Sequence, residues 1–124
     1  MSKLKRLLIV DDSKVSRMLV INFIRALRPD WVCSEAGNGA EALQLALASS
    51  FDYATLDMNM PGMDGLELAT RFRTECPGMK VCLLTANIQE DIQNRAKSLN
   101  VGFVEKPPSM ISVEKVISYF EVQP

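Results

Sequence analysis

The 124-residue sequence predicts an α/β fold with a mostly parallel sheet and helices on both faces. Three observations carry that prediction. Short apolar runs alternate with stretches whose apolar residues recur at helical spacing. The connections between them are short, with no linker, repeat or low-complexity tract. Leu7-Leu8-Ile9-Val10 is apolar at every position, as a parallel strand buried on both faces must be. Five strands alternating with five helices follow, joined by right-handed crossovers. Such sheets place function at the carboxyl ends of their strands, where the strand order reverses.

Leu7–Val10 is the first strand and stops at Asp11-Asp12. Asp12 or Ser13 can cap the next helix, Lys14 to Leu27, by accepting from its free backbone N–H groups. Leu19, Val20, Phe23, Ile24 and Leu27 are its expected inward face, with Met18 and Ile21 off that face. Pro29, which offers no N–H, helps to end it. Trp31 to Ala36 alternates as a second strand, and Gly37-Asn38-Gly39 breaks it. Ala40 to Ala48 is a small helix with Leu43 and Leu47 inward. Tyr53 to Leu56 is the third strand and ends at Asp57. A Met-Pro-Gly loop follows, and Asp64 caps a helix from Gly65 to Glu75 that Pro77-Gly78 closes. Lys80 to Leu84 is the fourth strand, ending at Thr85-Ala86. Ile88 to Leu99 is a helix with a polar face, and Gly102 to Glu105 the fifth strand, ending at Lys106-Pro107-Pro108. Ile111 to Val122 is the last helix, with Val113, Val116, Ile117 and Phe120 inward.

Composition narrows the functions. Apolar residues are 48% and charged residues 23%, as expected of one soluble globular domain over residues 1–124. A net charge of -1 lacks the basic excess that a general nucleic-acid or membrane-surface binder needs. No apolar run is long enough to span a bilayer, and Met1-Ser2-Lys3 leads into the first strand without a signal-peptide pattern. Cys33, Cys76 and Cys82 are odd in number and lack C-x-x-C spacing, which reads as buried free thiols in a reducing cytoplasm. There is no histidine, which removes His-based triads, His-ligated zinc and phosphohistidine carriers.

The strand ends bring Asp11, Asp12, Asp57, Thr85 and Lys106 to one rim. Two carboxylates about 5 Å apart repel by about 3 kcal/mol at an effective dielectric near 20. Three therefore need a cation among them or a proton kept on one of them, and a hard divalent ion with oxygen ligands fits. A cation, a carboxylate nucleophile, a hydroxyl and a lysine suit phosphoryl transfer, in which an aspartate can itself accept the group.

The Asp11-Asp12 pair, Asp57 before Met-Pro-Gly-Met-Asp-Gly, Thr85-Ala86 and Lys106-Pro107 together resemble the receiver domain of two-component response regulators. The likeness covers essentially the whole chain and is nearest to the single-domain, chemotaxis-type members. It implies a flavodoxin-like, doubly wound five-stranded parallel sheet of order 2-1-3-4-5. It also implies that Asp57 is the phosphoacceptor for a sensor histidine kinase. Asp12 and Asp57, with the backbone carbonyl of Asn59, would ligate Mg²⁺ or Mn²⁺, and Asp11 would act through water. Lys106 would pair with phosphoryl oxygens, placed by a cis Lys106–Pro107 bond, and Thr85 would hydrogen-bond the phosphoryl group and move toward it while Phe103 turns inward as the switch. Ala86 matches the small residue that leaves the acceptor reachable.

The resemblance further implies a cytoplasmic, stand-alone regulator that catalyses only its own phosphorylation and dephosphorylation, with no output domain after residue 124. Its partners would be the kinase, a downstream protein target and a phosphatase, with no nucleic acid and no membrane. Gln93, Asn94, Arg95 and Tyr119 are the expected exposed output residues, and Lys14, Val15 and Met18 with the Pro107-Pro108 loop the kinase contacts. Phe103 stands where chemotaxis regulators commonly carry tyrosine, so an output through that hydroxyl is not available. Asn59 and Asn87 hold positions that tune dephosphorylation in the family. Two rival chemistries fit less well. A phosphatase of the haloacid-dehalogenase type needs a second acid where Asn59 stands, and a flavodoxin-type cofactor binder needs a Ser/Thr/Gly-rich phosphate loop where Asp11-Asp12-Ser13 would repel the anion.

Overall fold

A computed structural model describes residues 4–122. The reading of Met1-Ser2-Lys3 lies outside the described residues. The chain runs β1 (Arg6–Val10), α1 (Lys14–Leu27), β2 (Val32–Ala36), α2 (Gly39–Ala48), β3 (Tyr53–Leu56), α3 (Gly65–Glu75), β4 (Lys80–Thr85), α4 (Glu90–Ser98), β5 (Gly102–Glu105) and α5 (Met110–Val122). All four pairings are parallel and the order is β2-β1-β3-β4-β5, as expected. The order reverses between β1 and β3, which is the switch point.

Strand residues alternate between two cores, because successive side chains leave opposite faces of a sheet. Leu7, Ile9, Tyr53, Cys82, Leu84 and Val104 pack with α1 and α5 through Ile24, Val113, Val116, Ile117 and Phe120. Leu8, Val10, Ala54, Leu56, Val81 and Leu83 pack with α2, α3 and α4 through Ala42, Leu43, Leu66, Leu68, Phe72, Ile92 and Ala96. No helix among the described residues is long and apolar enough to cross a membrane. Cys82 is wholly buried, which pushes its thiol up to about 12, whereas Cys33 and Cys76 are only half-buried; all three are free.

Several local expectations are corrected. Ile21 is buried and Leu19 is exposed, so the inward stripe of α1 runs Val20, Ile21 and Ile24. Phe23 and Leu27 are partly buried beside that stripe, against the core shared with α5. Leu47 is 59% exposed near the end of α2, while Ala42 and Leu43 are buried. Trp31 precedes β2 instead of lying in it and packs on Tyr53, 4.9 Å between ring centroids. Ile88 is an exposed loop residue and α4 begins at Glu90, with Gln89 in the cap position but making no side-chain cap. Asn100 ends that region at φ +57°, a left-handed conformation asparagine tolerates better than most residues.

The helix starts are fixed by side chains that accept otherwise unpaired N–H groups. Ser13 accepts from Ser16 N and Asn38 from Glu41 N. Asp64 and Glu67 form a reciprocal capping box at α3. Gly65 follows that cap, and its N–H donates to Met58 O at 2.9 Å. A Cβ there would overlap the Asp57 carbonyl oxygen and stand 2.9 Å from Met58 Cα. Gly65→Ala is therefore expected to destabilise the fold by about 1–3 kcal/mol, with the β3–α3 loop displaced. Urea denaturation measures the loss, and an unchanged midpoint would show that the loop yields freely.

Candidate functional site at the carboxyl ends of the strands

Val10 pairs with Leu56 across β1 and β3, so Asp11 and Asp57 emerge side by side. The Asp57 N–H donates to Val10 O at 2.9 Å, and the Asp11 N–H to Ala36 O at 3.1 Å. These bonds carry the parallel ladder one residue past the strands and hold both aspartates on rigid backbone. Asp11 and Asp57 are buried, while Asp12 is exposed at the rim. One carboxylate oxygen from each of the three lies within 4.8 Å of the others.

Thr85 ends β4, and its carbonyl accepts from Lys106 N at 3.0 Å. That bond extends the β4–β5 ladder and delivers Lys106 to the acids. Its ammonium lies 2.7 Å from Asp11 Oδ2 and 3.7 Å from Asp57 Oδ2. The Lys106–Pro107 peptide is cis. The loop is anchored by Ser112, whose hydroxyl donates to Pro107 O at 3.0 Å and accepts from Ser109 N at 2.8 Å. Ser112 is buried, and no sequence motif singled it out.

Burial raises the Asp57 carboxyl above the usual aspartate range, and the neighbouring charge of Asp11 adds to the rise. Lys106 and a hydrogen bond from Thr85 offset part of it, while Asp12 raises it further. A buried acid held against other acids, with one lysine only partly compensating, favours a bound cation or a retained proton, either of which relieves the repulsion. The donor set is entirely oxygen, which suits Mg²⁺ or Mn²⁺ and not a soft metal.

Asn59 is exposed, and its side-chain oxygen accepts from Asn87 Nδ2 at 3.0 Å. Asn87 N donates to Thr85 Oγ1 at 3.1 Å, and Asn87 Oδ1 accepts from Gln89 N at 3.3 Å. Asn87 thus connects the loop after β3, the Thr85 hydroxyl and the start of α4. Phe103 is half-buried against the core under α2, α3 and α4. Met58 and Met60 are buried in that same core, so the Met-Pro-Gly loop is packed down by its side chains. Ala86 is exposed beside Thr85.

Gln93, Asn94 and Arg95 are exposed on α4 as expected. Tyr119 is not a free surface residue. Its ring covers Gly102, where a Cβ would stand 2.8 Å from Tyr119 Cε2, and its hydroxyl donates to Asn100 O at 3.3 Å. Lys14, Val15 and Met18 are exposed on α1.

The sequence matches the response regulator receiver domain family over residues 7–118. It is 33% identical over 125 residues to the chemotaxis protein CheY-3 of Vibrio cholerae, covering 98% of this chain and 95% of that protein. It is 36% identical over 97 residues to protein-glutamate methylesterase/protein-glutamine glutaminase 4 of Myxococcus xanthus, covering 78% of this chain. The chain spans only 27% of the length of that protein and 30% to 45% of five other relatives. Among solved structures, the REC domain of the Geobacillus stearothermophilus response regulator AraT superposes with a TM-score of 0.85 at 28% identity, covering 97% of this chain and 95% of that one. The strand order, the acids at the switch point and the match over nearly the whole chain agree: this protein belongs to the response regulator receiver family of two-component systems, with a CheY-like fold.

Proposed function

We propose that the protein receives a phosphoryl group on Asp57 from the phosphohistidine of a sensor kinase and passes the signal on through a changed surface. The observation that carries this is the meeting of Asp11, Asp12 and Asp57 within 4.8 Å at the switch point, with Lys106 2.7 Å from Asp11 and 3.7 Å from Asp57. An Asp57 carboxylate oxygen attacks phosphorus, a P–O bond forms and the P–N bond to the kinase histidine breaks, leaving its electron pair on the imidazole. Lys106 stabilises the negative phosphoryl oxygens and Thr85 donates a hydrogen bond to one of them. The carboxylates of Asp12 and Asp57 and the carbonyl of Asn59 would hold Mg²⁺ or Mn²⁺, with Asp11 acting through water. When bound, the ion neutralises charge among the carboxylates and on the transferring group. Hydrolysis of the acyl phosphate, by the domain itself or with a phosphatase, resets it.

Thr85 and Phe103 are the proposed switch. Movement of the Thr85 hydroxyl toward the phosphoryl group would change its bond with Asn87 N and make room for the half-buried Phe103 ring to turn inward. The readout face is α4, β5 and α5, where a two-state surface is biased by phosphorylation. Val15 and Met18, exposed on α1 with Lys14, suit the kinase contact together with the Pro107-Pro108 loop. A cytoplasmic location follows from this role.

Incubation with acetyl phosphate and Mg²⁺ is expected to add the mass of one phosphoryl group. Asp57→Asn should abolish the gain, and its persistence in that variant would remove Asp57 as the acceptor. Chelation of the metal should also suppress it.

The metal-free protein gives a pH test. Asp57 holds its proton more tightly folded than unfolded, so ionising it destabilises the fold. That cost is present above the folded pKa and disappears as pH falls through the unfolded value, about 3.9. Asp57→Asn is expected to raise the urea midpoint at pH 7, with the difference shrinking to nothing in acid. A variant less stable than the parent at pH 7 would contradict the electrostatics described above.

The Asn59–Asn87 bond ties the loops after β3 and β4 together. Its loss should let water reach the acyl phosphate more easily. Asn87→Ala is expected to shorten the phosphorylated lifetime about fivefold, the factor that one net hydrogen bond of about 1 kcal/mol represents. Decay followed after removal of the phosphodonor measures it, and an unchanged lifetime would rule the bond out as a timer.

A further inference from the structure

We infer that Arg17 is a positioning residue for the metal-binding acid pair, acting through the backbone between Asp11 and Asp12; this rests on the site reading proposed above. Arg17 sits in α1, and its side chain is only 16% exposed. Its Nη1 donates to Asp11 O at 2.6 Å, and its Nε donates to Glu35 Oε1 at 2.9 Å. Glu35 lies on β2 opposite Ile9 of β1. The guanidinium therefore bridges the edge strand and the main chain at the exact turn where the acids leave β1.

The consequence is geometric. A peptide unit is planar, so holding the Asp11 nitrogen, its Cα and its carbonyl oxygen places the carbonyl carbon between them, and the plane of that Cα, carbon and oxygen fixes the Asp12 Cα. The Asp11 end is already held: its N–H bonds Ala36 O, its Oδ1 accepts from Ser13 N at 2.9 Å, and its Oδ2 meets Lys106. Arg17 holds the oxygen of the same unit, and the position of the Asp12 Cα follows. Asp12 is the exposed member of the acid set, so its placement depends on the backbone more than on packing. Lysine could not replace this arrangement, since one ammonium cannot present two diverging donors in a fixed plane.

The test is Mg²⁺ titration of the whole chain at constant ionic strength, followed by the amide NMR shifts of Asp12 and Asn59. Arg17→Lys keeps the charge, so a change in affinity reports geometry. It is expected to raise the Mg²⁺ dissociation constant about tenfold, as loss of an outer partner of a metal ligand does. Phosphorylation by acetyl phosphate in the same variant should need correspondingly more Mg²⁺ for half-maximal rate, yet recover near-parent rate at saturation. Glu35→Gln should raise the constant less, and adding it to Arg17→Lys should change nothing further. Arg17→Lys or Glu35→Gln each keeps the inference open to refutation if Arg17→Ala does not fold. Parent-like affinity in Arg17→Lys, with affinity lost in Asp12→Asn, overturns the Arg17 assignment alone. Parent-like affinity in Asp12→Asn overturns the metal site itself.

Discussion

Lys106 places one ammonium between two buried carboxylates, 2.7 Å from Asp11 and 3.7 Å from Asp57, and the rim is built around that contact. At about 4 Å and an effective dielectric near 20, a pair of unit charges interacts by about 4 kcal/mol. One such cation cannot neutralise three acids, and the Asp57 carboxyl accordingly stays raised. The fold thus keeps a local surplus of negative charge close to a group able to accept phosphorus. Charge stabilisation is left for a metal cation to complete, and the incoming phosphoryl group, itself negative, adds to that need. The backbone that delivers Lys106 matters as much as its charge: the Thr85 carbonyl receives its N–H, and Ser112 ties down the following loop.

Sheet order does the remaining positioning. β1 and β3 are neighbours although α1, β2 and α2 separate them in the chain. Their register leaves Asp11 beside Asp57, and β4 and β5 follow on the same side with Thr85 and Lys106. On the other side, Arg17 and Glu35 link α1 to β2. The acids are therefore held from both flanks by elements whose own burial is unrelated to phosphate chemistry. Gly65 adds a steric condition, since only a residue without Cβ lets α3 start against the Asp57 carbonyl.

The strands were legible because short, mostly apolar runs bounded by turn residues suit a buried parallel sheet, and four of the five stop at a chemically distinctive residue: Asp11, Asp57, Thr85 or Lys106. Their order along the chain was enough to suggest a shared rim. Side-chain exposure on helices was less legible. Leu19, Ile21 and Leu47 differ little as residues, and only the neighbouring helix or its lack decides which is covered. The start of α4 was misplaced because Ile88 extends the helical period, while its true start lacks a capping side chain. Arg17 and Ser112 left no signal, and Gly65 showed as part of a motif and a helix start without showing why a glycine is needed there. Their roles consist of bonds to, or closeness to, main-chain atoms of distant residues, which side-chain periodicity does not record.

At the opposite end of the strands, Trp31 packs against Tyr53, which stacks on Phe120 at 4.5 Å between ring centroids. Trp31 is the chain's single tryptophan. It precedes Val32, which pairs with Arg6 at the start of β1, so a strand length of about 15 Å separates it from the acids. Its emission consequently belongs to the α1–α5 core and not to the rim. Intrinsic fluorescence will follow melting of that core while remaining nearly blind to ligands at the strand ends, giving two independent optical and resonance channels for stability and for occupancy in a single sample.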